Sequence, residues 1–562
     1  MSFTPPISEQ RFVLDHLVSV RGPGVDNEIA GAVLQGAGEF AVGEWAPLRR
    51  VGDVVGAKWT PQGVNMPDGF AQAYQAYVEG GWGAIGAPEA FGGQGLPFAL
   101  QAAVLETLGG ANMAFALCPT LTFGAIEALV HHGSPEQQQL YLPRLVTGEW
   151  TATMNLTEPQ AGSDVGALRT RAEPAADGAW RITGQKIFIS FGDHDMAENI
   201  IHLVLARTPD APAGTKGISL FLVPKRRLNA QGEPGAANDA RVVSIEHKMG
   251  LHAAPTCLMS YGDNGDCLGE IVGEVGGGMR AMFTMMNNAR LNVGLNGVQT
   301  AEAATQQAVA YALERVQSPR AGATSREPVR IVEHPDVRRM LLRMKAQTQA
   351  ARALVYYAAG LVDRAKGGSA EAQDRLELLT PLAKAHATDI GCEVASLGIQ
   401  VHGGTGYVEE TGAAQFLRDV RIATIYEGTN GIQAADLVMR KLGMGNGDVF
   451  ARLIDEMGQD AEAEPLKALI GSCGSIGRDL QDMPVDDKLA ASAPFLTMLS
   501  TAVCGWLMER QARAAGEDPF GRAKKTIAVF YLTQVVPEAL GLRAAATATA
   551  DILYALDVRA LD

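Results

Sequence analysis

Apolar residues recur every three or four positions through most of the first 150 residues, and that period predicts helices. Ile29, Val33, Ala37 and Phe40 keep it, as do Phe70, Tyr74 and Tyr77. Gly and Pro clusters interrupt it at Arg21-Gly22-Pro23-Gly24 and at Phe91-Gly92-Gly93-Gln94-Gly95. Ser134-Pro135-Glu136-Gln137 reads as a helix start, with Ser134 as N-cap and Pro135 at the first helical position. From about residue 151 the pattern changes. Thr151 to Thr157, Trp180 to Ser190, Asn199 to Arg207, Gly217 to Pro224 and Arg241 to His247 are short, β-branched or aromatic, and bounded by Gly, Pro or Asp. They predict strands of a small sheet or barrel, ending near Gly276-Gly277-Gly278. The helical period returns from Met279 to Leu442. One helix opens at His334-Pro335-Asp336 and another carries Ile390, Val394 and Leu397. Gly443 to Asp448 reads as a linker, and the rest looks helical with breaks at Pro484, Pro519 and Pro537. Helices, then strands, then helices predict an α+β multidomain fold rather than a βαβ one. The expected domains are helical (1–150), β (151–275), an antiparallel bundle (276–445) and an extra helical domain (446–562).

Composition narrows the class. A chain of 562 residues with 47% hydrophobic content can bury several cores. A net charge of −15 argues against a general nucleic-acid or anionic-membrane surface, so neither is expected as a partner. Arg522, Lys524 and Lys525 form only a short basic run, read as a solvated helix face. The cysteines are scattered, with no CxxC and no Cys/His metal spacing, and read as reduced, mostly buried thiols. The opening residues lack a secretory pattern, and no uncharged apolar run approaches a membrane span. A soluble, cytoplasmic protein without a metal site is expected.

Three stretches carry candidate chemistry. In Ile422-Ala423-Thr424-Ile425-Tyr426-Glu427-Gly428-Thr429-Asn430-Gly431 a carboxylate lies between an apolar run and a Gly-Thr-Asn step. Glu427 reads either as a base with a raised pKa or as an acid opening a helix and meeting its dipole. Met154 to Val165 is a strand followed by a turn with Thr157, Gly162 and Ser163, which offers N–H groups and hydroxyls to an anion, or is a turn and no more. In Gly184-Gln185-Lys186-Ile187-Phe188-Ile189-Ser190, Phe188 could lie against a flat ring with Ser190 at its edge; core packing is the other reading.

These stretches, with "KMGLHAAPTC" at Lys248 to Cys257, "QVHGGTGY" at Gln400 to Tyr407 and "LRD" at Leu417 to Asp419, resemble the acyl-CoA dehydrogenase family in order and separation. The resemblance implies a helical N-terminal domain, a middle β-barrel, a four-helix bundle and a non-covalent FAD. It implies α,β-dehydrogenation of an acyl-CoA thioester to the trans-2-enoyl-CoA, with Glu427 taking the α-proton and flavin N5 the β-hydride. It matches Met154, Leu156, Thr157, Ser163, Phe188, Ser190, Thr429 and Asn430 to flavin-contacting positions, Ser190 standing where Thr is usual. It matches Arg315, Gln317, Gln400, Gly403 and Gly404 to positions that reach the FAD of a neighbouring subunit, which implies a homodimer or larger assembly. It matches Ser163, Met286, Asn287, Arg290 and Gly428 to substrate positions, Asn287 replacing a usual Asp. Electron-transfer flavoprotein is the implied electron acceptor. The Val316-Gln317-Ser318-Pro319-Arg320 loop, the opening segment and the extra domain resemble the subgroup of long polypeptides that includes 3-methylmercaptopropionyl-CoA dehydrogenases. Rival readings are an acyl-CoA oxidase, a flavin monooxygenase, against which Glu427 argues, and a DNA-associated alkylation-response branch, against which the acidic tail argues. His252 and His402 are expected to be structural or solvent-facing.

Overall fold

The helical period of the first third becomes α1 (Ile7–Val13), α2 (Asn27–Phe40), α3 (Leu48–Val55), α4 (Phe70–Glu79), α5 (Phe98–Ala111), α6 (Met113–His132) and α7 (Pro135–Thr147). The computed structural model describes residues 3–18 and 26–561, without the side chains of Asp177, Met285, Met286, Asn287 and Asn288. Asp26 caps α2, accepting the N–H groups of Glu28 and Ile29 at 2.9 Å. Ser134 caps α7 in a reciprocal capping box with Gln137. A hairpin of β1 (Lys58–Thr60) and β2 (Gly63–Asn65) interrupts the helices; three-residue strands are too short to leave a period in the sequence.

The middle region holds β3 (Trp150–Asn155), β4 (Arg171–Pro174), β5 (Trp180–Ser190), β6 (Asn199–Arg207), β7 (Ile218–Pro224), β8 (Arg226–Leu228), β9 (Pro234–Ala237), β10 (Ala240–Ile245), β11 (Thr256–Tyr261) and β12 (Leu268–Val272). The main sheet runs β10-β11-β5-β12-β7-β6-β3. Strand β4 pairs with both β5 and β6, which closes β5, β12, β7, β6 and β4 into a ring. Buried polar side chains pair between the strands beside it. Tyr261 Oη donates to Asn155 Oδ1 at 2.6 Å and meets His202 Nδ1 at 3.3 Å, while His194 Nε2 lies 2.9 Å from Thr151 Oγ1.

The bundle is built on α8 (Gly278–Glu314), α9 (Pro335–Lys366) and α10 (Ala370–His402), followed by α11 (Ala413–Val420) and α12 (Asn430–Asp436). Helices α8 and α10 approach until backbone meets backbone: a Cβ on Gly297 would lie 1.9 Å from the Ala387 carbonyl oxygen. Arg352 of α9 is fully buried and bonds Glu106 of α5 at 2.7 Å and Glu302 of α8 at 2.8 Å. Tyr356 adds a hydrogen bond to Glu106 at 2.5 Å. One guanidinium thus bridges two buried carboxylates, and Lys345 adds a second cation to Glu302 at 3.4 Å.

The C-terminal region comprises α13 (Asp448–Asp460), α14 (Glu464–Asp482), α15 (Val485–Ala514), α16 (Pro519–Phe530) and α17 (Val536–Leu540). Helix α15 packs on α9 and on α12. Lys524 of α16 is not on a solvated face as the sequence predicts. It is buried and donates to Glu9 at 3.0 Å, Gln349 at 3.2 Å and Gln511 at 2.5 Å, because α16 lies against α9 and the first helix supplies the countercharge. A second expectation also changes. Helices α6 and α15 are long and apolar enough to cross a membrane by length and composition, but most of that surface packs inside the fold.

His194 and His202 generate a stability prediction. Burial, with Lys225 next in effect, lowers each imidazole from 6.5 to about 3. Their stabilising effect is complete above the unfolded value and is lost as pH falls toward the folded one. Urea unfolding from pH 7 to 4 should show stability falling by about 1.4 kcal/mol per pH unit for each histidine below about pH 6. In His202→Asn that slope should be shallower.

Candidate active site

Residues Ile425 to Thr429 form a loop between the Arg421–Thr424 turn and α12, and Glu427 sits at its bend. Glu427 has φ +55° and Gly428 φ +86°. A glutamate enters the left-handed region only where its surroundings hold it. Gly428 enters it freely, and a Cβ there would lie 2.8 Å from Gln433 Nε2. Thr429 is the cap of α12, accepting the Ile432 N–H at 3.2 Å. Glu427 therefore does not open the helix; the turn at Gly428 separates it from the cap. Its own backbone N–H has no acceptor among the described residues.

Two cations face this half-buried carboxyl, Arg290 from α8 and Lys384 from α10. Burial pushes the Glu427 carboxyl above its ordinary value, while Arg290 and then Lys384 pull it back. Arg290 Nη1 stands 3.8 Å from Asp436 Oδ2 of α12. Lys384 is fully buried and donates to Asn430 Oδ1 at 2.9 Å. Burial brings its ammonium down to about 8, against the pull of Asp389 and Glu427. Asn430 in turn donates to Asp389 Oδ1 at 2.8 Å and to the Ala385 carbonyl at 3.1 Å. The Asn430 side chain turns toward α10, where it gives the buried ammonium an acceptor. On the other flank, Tyr426 donates to Asn296 Oδ1 of α8.

The flavin-matched residues of the β region share one strand end. Ile187 N–H donates to the Thr157 carbonyl at 2.9 Å, and Thr153 Oγ1 to the Ser190 carbonyl at 2.7 Å. Phe188 has φ +59° and is 59% exposed, so its ring stands out of the sheet instead of packing in the core. Met154 is buried, Leu156, Thr157 and Ser190 are half-buried, and Ser163 is exposed. An open aromatic face beside hydroxyls suits a planar, hydrogen-bonding ring system. The loop is fixed from below by Glu158. Burial opposes its charge, but Lys186 at 2.8 Å, Thr170 at 2.6 Å and the Arg169 N–H at 2.7 Å hold it at about 2. Lys186 also donates to the Leu156 carbonyl at 3.0 Å.

Arg315, Gln317, Gln400, Gly403 and Gly404 are all exposed, at the far end of α8 and α10. Arg315 Nη2 donates to Gln317 Oε1 at 3.2 Å, and Tyr311 stacks on His402 with centroids 4.4 Å apart. From Arg290 to that end α8 rises about 36 Å, so this chain does not bring the group to Glu427. The Met286 and Asn287 side chains lie outside the described residues. His252 and His402 are structural: His252 meets the Asp53 and Lys248 carbonyls at 2.7 and 3.0 Å, His402 the Gly398 carbonyl at 2.7 Å.

Sequence reasoning passed over Lys384, Asn296 and Asp436. A lysine two residues from a histidine inside the apolar Leu382–Ala387 stretch is the signal that could have flagged the first. It also gave no role to the "LRD" and "KMGLHAAPTC" segments. Arg418 bonds Asp53 of α3 at 2.7 and 2.6 Å, and Asp419 accepts the Leu251 N–H at 2.7 Å. These contacts clamp the N-terminal helices and the β10–β11 loop to α11, just ahead of the Glu427 loop.

A carboxyl flanked by two cations on a helical bundle, with an exposed aromatic strand end on the adjoining barrel, defines an acyl-CoA dehydrogenase architecture. The chain belongs to that family: the N-terminal, middle and C-terminal domain models of acyl-CoA dehydrogenase match residues 33–149, 153–263 and 276–442. A further model, acetyl-CoA dehydrogenase C-terminal like, matches 450–557. The chain is 42% identical to 3-methylmercaptopropionyl-CoA dehydrogenase of Ruegeria pomeroyi, covering 98% of this chain and 99% of the relative. It is 36% identical to a butyryl-CoA dehydrogenase of Syntrophomonas wolfei over 92% of this chain and 90% of that one. The structure of an acyl-CoA dehydrogenase complexed with FAD from Bacillus anthracis shares the fold, with a TM-score of 0.75 at 23% identity, covering 97% and 92% of the two chains.

Arg418→Ala should loosen the clamp. Asp53 keeps Arg50 at 2.7 Å but loses its bidentate partner while 4% exposed. Urea denaturation should give a loss of about 1–3 kcal/mol.

Proposed function

We propose that the protein is an FAD-dependent acyl-CoA dehydrogenase that converts an acyl-CoA thioester to the trans-2-enoyl-CoA. The observation that carries this reading is the Glu427 carboxyl, strained into the left-handed region with its pKa raised and its backbone N–H free. A raised carboxylate is a better match to a weakly acidic α-C–H than an ordinary one. The free N–H offers the thioester oxygen a hydrogen bond as charge develops on it, which lowers the barrier to α-proton removal. Arg290 and Lys384 favour the ionised form of Glu427, the form that accepts a proton. Met154, Leu156, Thr157, Ser163, Phe188 and Ser190 are the residues of this chain that would hold the flavin. When bound, FAD supplies the acceptor for the hydride leaving Cβ. Gly428 lets substrate approach the base closely, and Arg290 borders the same space.

Arg315, Gln317, Gln400, Gly403 and Gly404 serve the cofactor of a second copy, which makes the active assembly at least a homodimer; their distance from Glu427 in one chain supports this. Electron-transfer flavoprotein is the proposed electron acceptor. The high identity to 3-methylmercaptopropionyl-CoA dehydrogenase makes that thioester, or a short fatty acyl-CoA, the first substrate to try.

Glu427→Gln should retain the yellow flavin and acyl-CoA binding but lose anaerobic bleaching of the flavin by substrate. Bleaching at the wild-type rate would remove Glu427 as the base. The bleaching rate should fall as pH drops through the raised Glu427 value. In Lys384→Met that midpoint should move to higher pH, because a cation that favours the ionised base is gone, and Lys384→Arg should restore it in part.

A further inference from the structure

Glu427 and α12 form one continuous piece of chain. The loop turns at Gly428, Thr429 caps the helix, and Asn430 is its first residue, three past the base. From there the Asn430 side chain reaches across to α10 and uses both ends of its amide. Its nitrogen donates to the Ala385 carbonyl at 3.1 Å, to Thr388 Oγ1 at 3.1 Å and to Asp389 Oδ1 at 2.8 Å. A carbonyl and a carboxylate only accept, so the amide cannot turn over without setting acceptor against acceptor. Its oxygen is left for Lys384, whose ammonium donates to it at 2.9 Å. Lys384 is fully buried, and that ammonium makes no other hydrogen bond among the described residues. Its acceptor stands on the segment that carries Glu427 and not on its own helix, so one side chain ties the cation to the base's loop.

The neighbouring charges have places of their own. Arg290 of α8 faces both Glu427 and Lys384, and its partner is Asp436, with Arg440 beside it. Asp389 of α10 faces Lys384 and, from the turn before the loop, Arg421. Tyr426 is held by Asn296, and burial keeps the His386 imidazole neutral by bringing it down to about 4. We infer that Asn430 is a positioning residue: it holds the Lys384 ammonium at the Glu427 loop and so sets the pH at which Glu427 begins to act as a base. This rests on the dehydrogenase reading above and names what tunes its base. A cation favours the ionised form of a nearby carboxyl, and the effect falls off with distance. Without the amide oxygen, the anion left to Lys384 on its own helix is Asp389, five residues along, and turning there takes the charge away from the loop.

The test follows anaerobic bleaching of the flavin against pH in the purified flavin-loaded enzyme, with 3-methylmercaptopropionyl-CoA or, if that ester is inert, butanoyl-CoA. Asn430→Ala should raise the midpoint of the pH profile by about one unit, while flavin content and the alkaline plateau stay close to wild type. Asn430→Asp, nearly the same shape with a negative charge, should raise it at least as far, because the carboxylate cancels the cation. The decisive arm is the double variant. In a Lys384→Met background Asn430→Ala should shift the midpoint no further, since the amide acts only through that ammonium. A lowered plateau with the midpoint unmoved is what a merely structural residue gives, and it overturns the inference. So does a shift of equal size with and without Lys384, or loss of flavin from Asn430→Ala, which would make the residue a cofactor contact. The dehydrogenase reading survives each of these. A wild type that neither ester bleaches overturns both.

Discussion

The site depends on an electrostatic triangle: one half-buried carboxyl on a strained loop and two cations delivered by different helices. Each cation also has an acceptor of its own, Asp436 for Arg290 and Asn430 for Lys384, which holds it at the loop. Arg290 and Lys384 meet Glu427 because α8 and α10 run in backbone contact at Gly297 and Ala387, a spacing that any side chain at Gly297 would prevent. Burial raises the carboxyl and the two cations pull it back, and a raised carboxyl suits a base for a weak carbon acid.

The surrounding structure keeps that triangle in register with the barrel. Asp53, Arg418, Asp419 and Leu251 join α3, α11 and the loop before β11, so the strand end carrying Phe188 and the loop carrying Glu427 are positioned from one anchoring point. Glu158 and Lys186 do the same work inside the barrel for the turn that holds Thr157 and Ser163. The C-terminal helices belong to this frame as well. Helix α15 packs on α12, the helix that begins at the base's own loop, and Lys524 is neutralised by Glu9 from the start of the chain. The extra region therefore supports the bundle behind the site, with its buried lysine as a cross-chain tie. Arg352, Glu106 and Glu302 tie α9, α5 and α8 together through ion pairs inside the bundle.

The order of helices, strands and helices was readable because periods of 3.6 and 2 are local, and β5 and β6 appear with the bounds their β-branched runs predict. Strands β11 and β12 were not, since Cys257, Met259 and Gly269 become strand residues only by pairing with β5 and β7. Glu427 and the Phe188 strand end were legible as candidates because each lies in a compact run of chemically distinctive residues. Tertiary structure alone decided the rest. Lys384 and Glu427 are 43 positions apart in the chain, and Asn430 and Lys384 join only when α12 folds against α10. Likewise Lys524 looked solvated because its countercharge, Glu9, comes from the other end of the polypeptide. Sequence records local period and residue type; which charges face one another is settled by long-range packing, and the base's proton affinity follows from that.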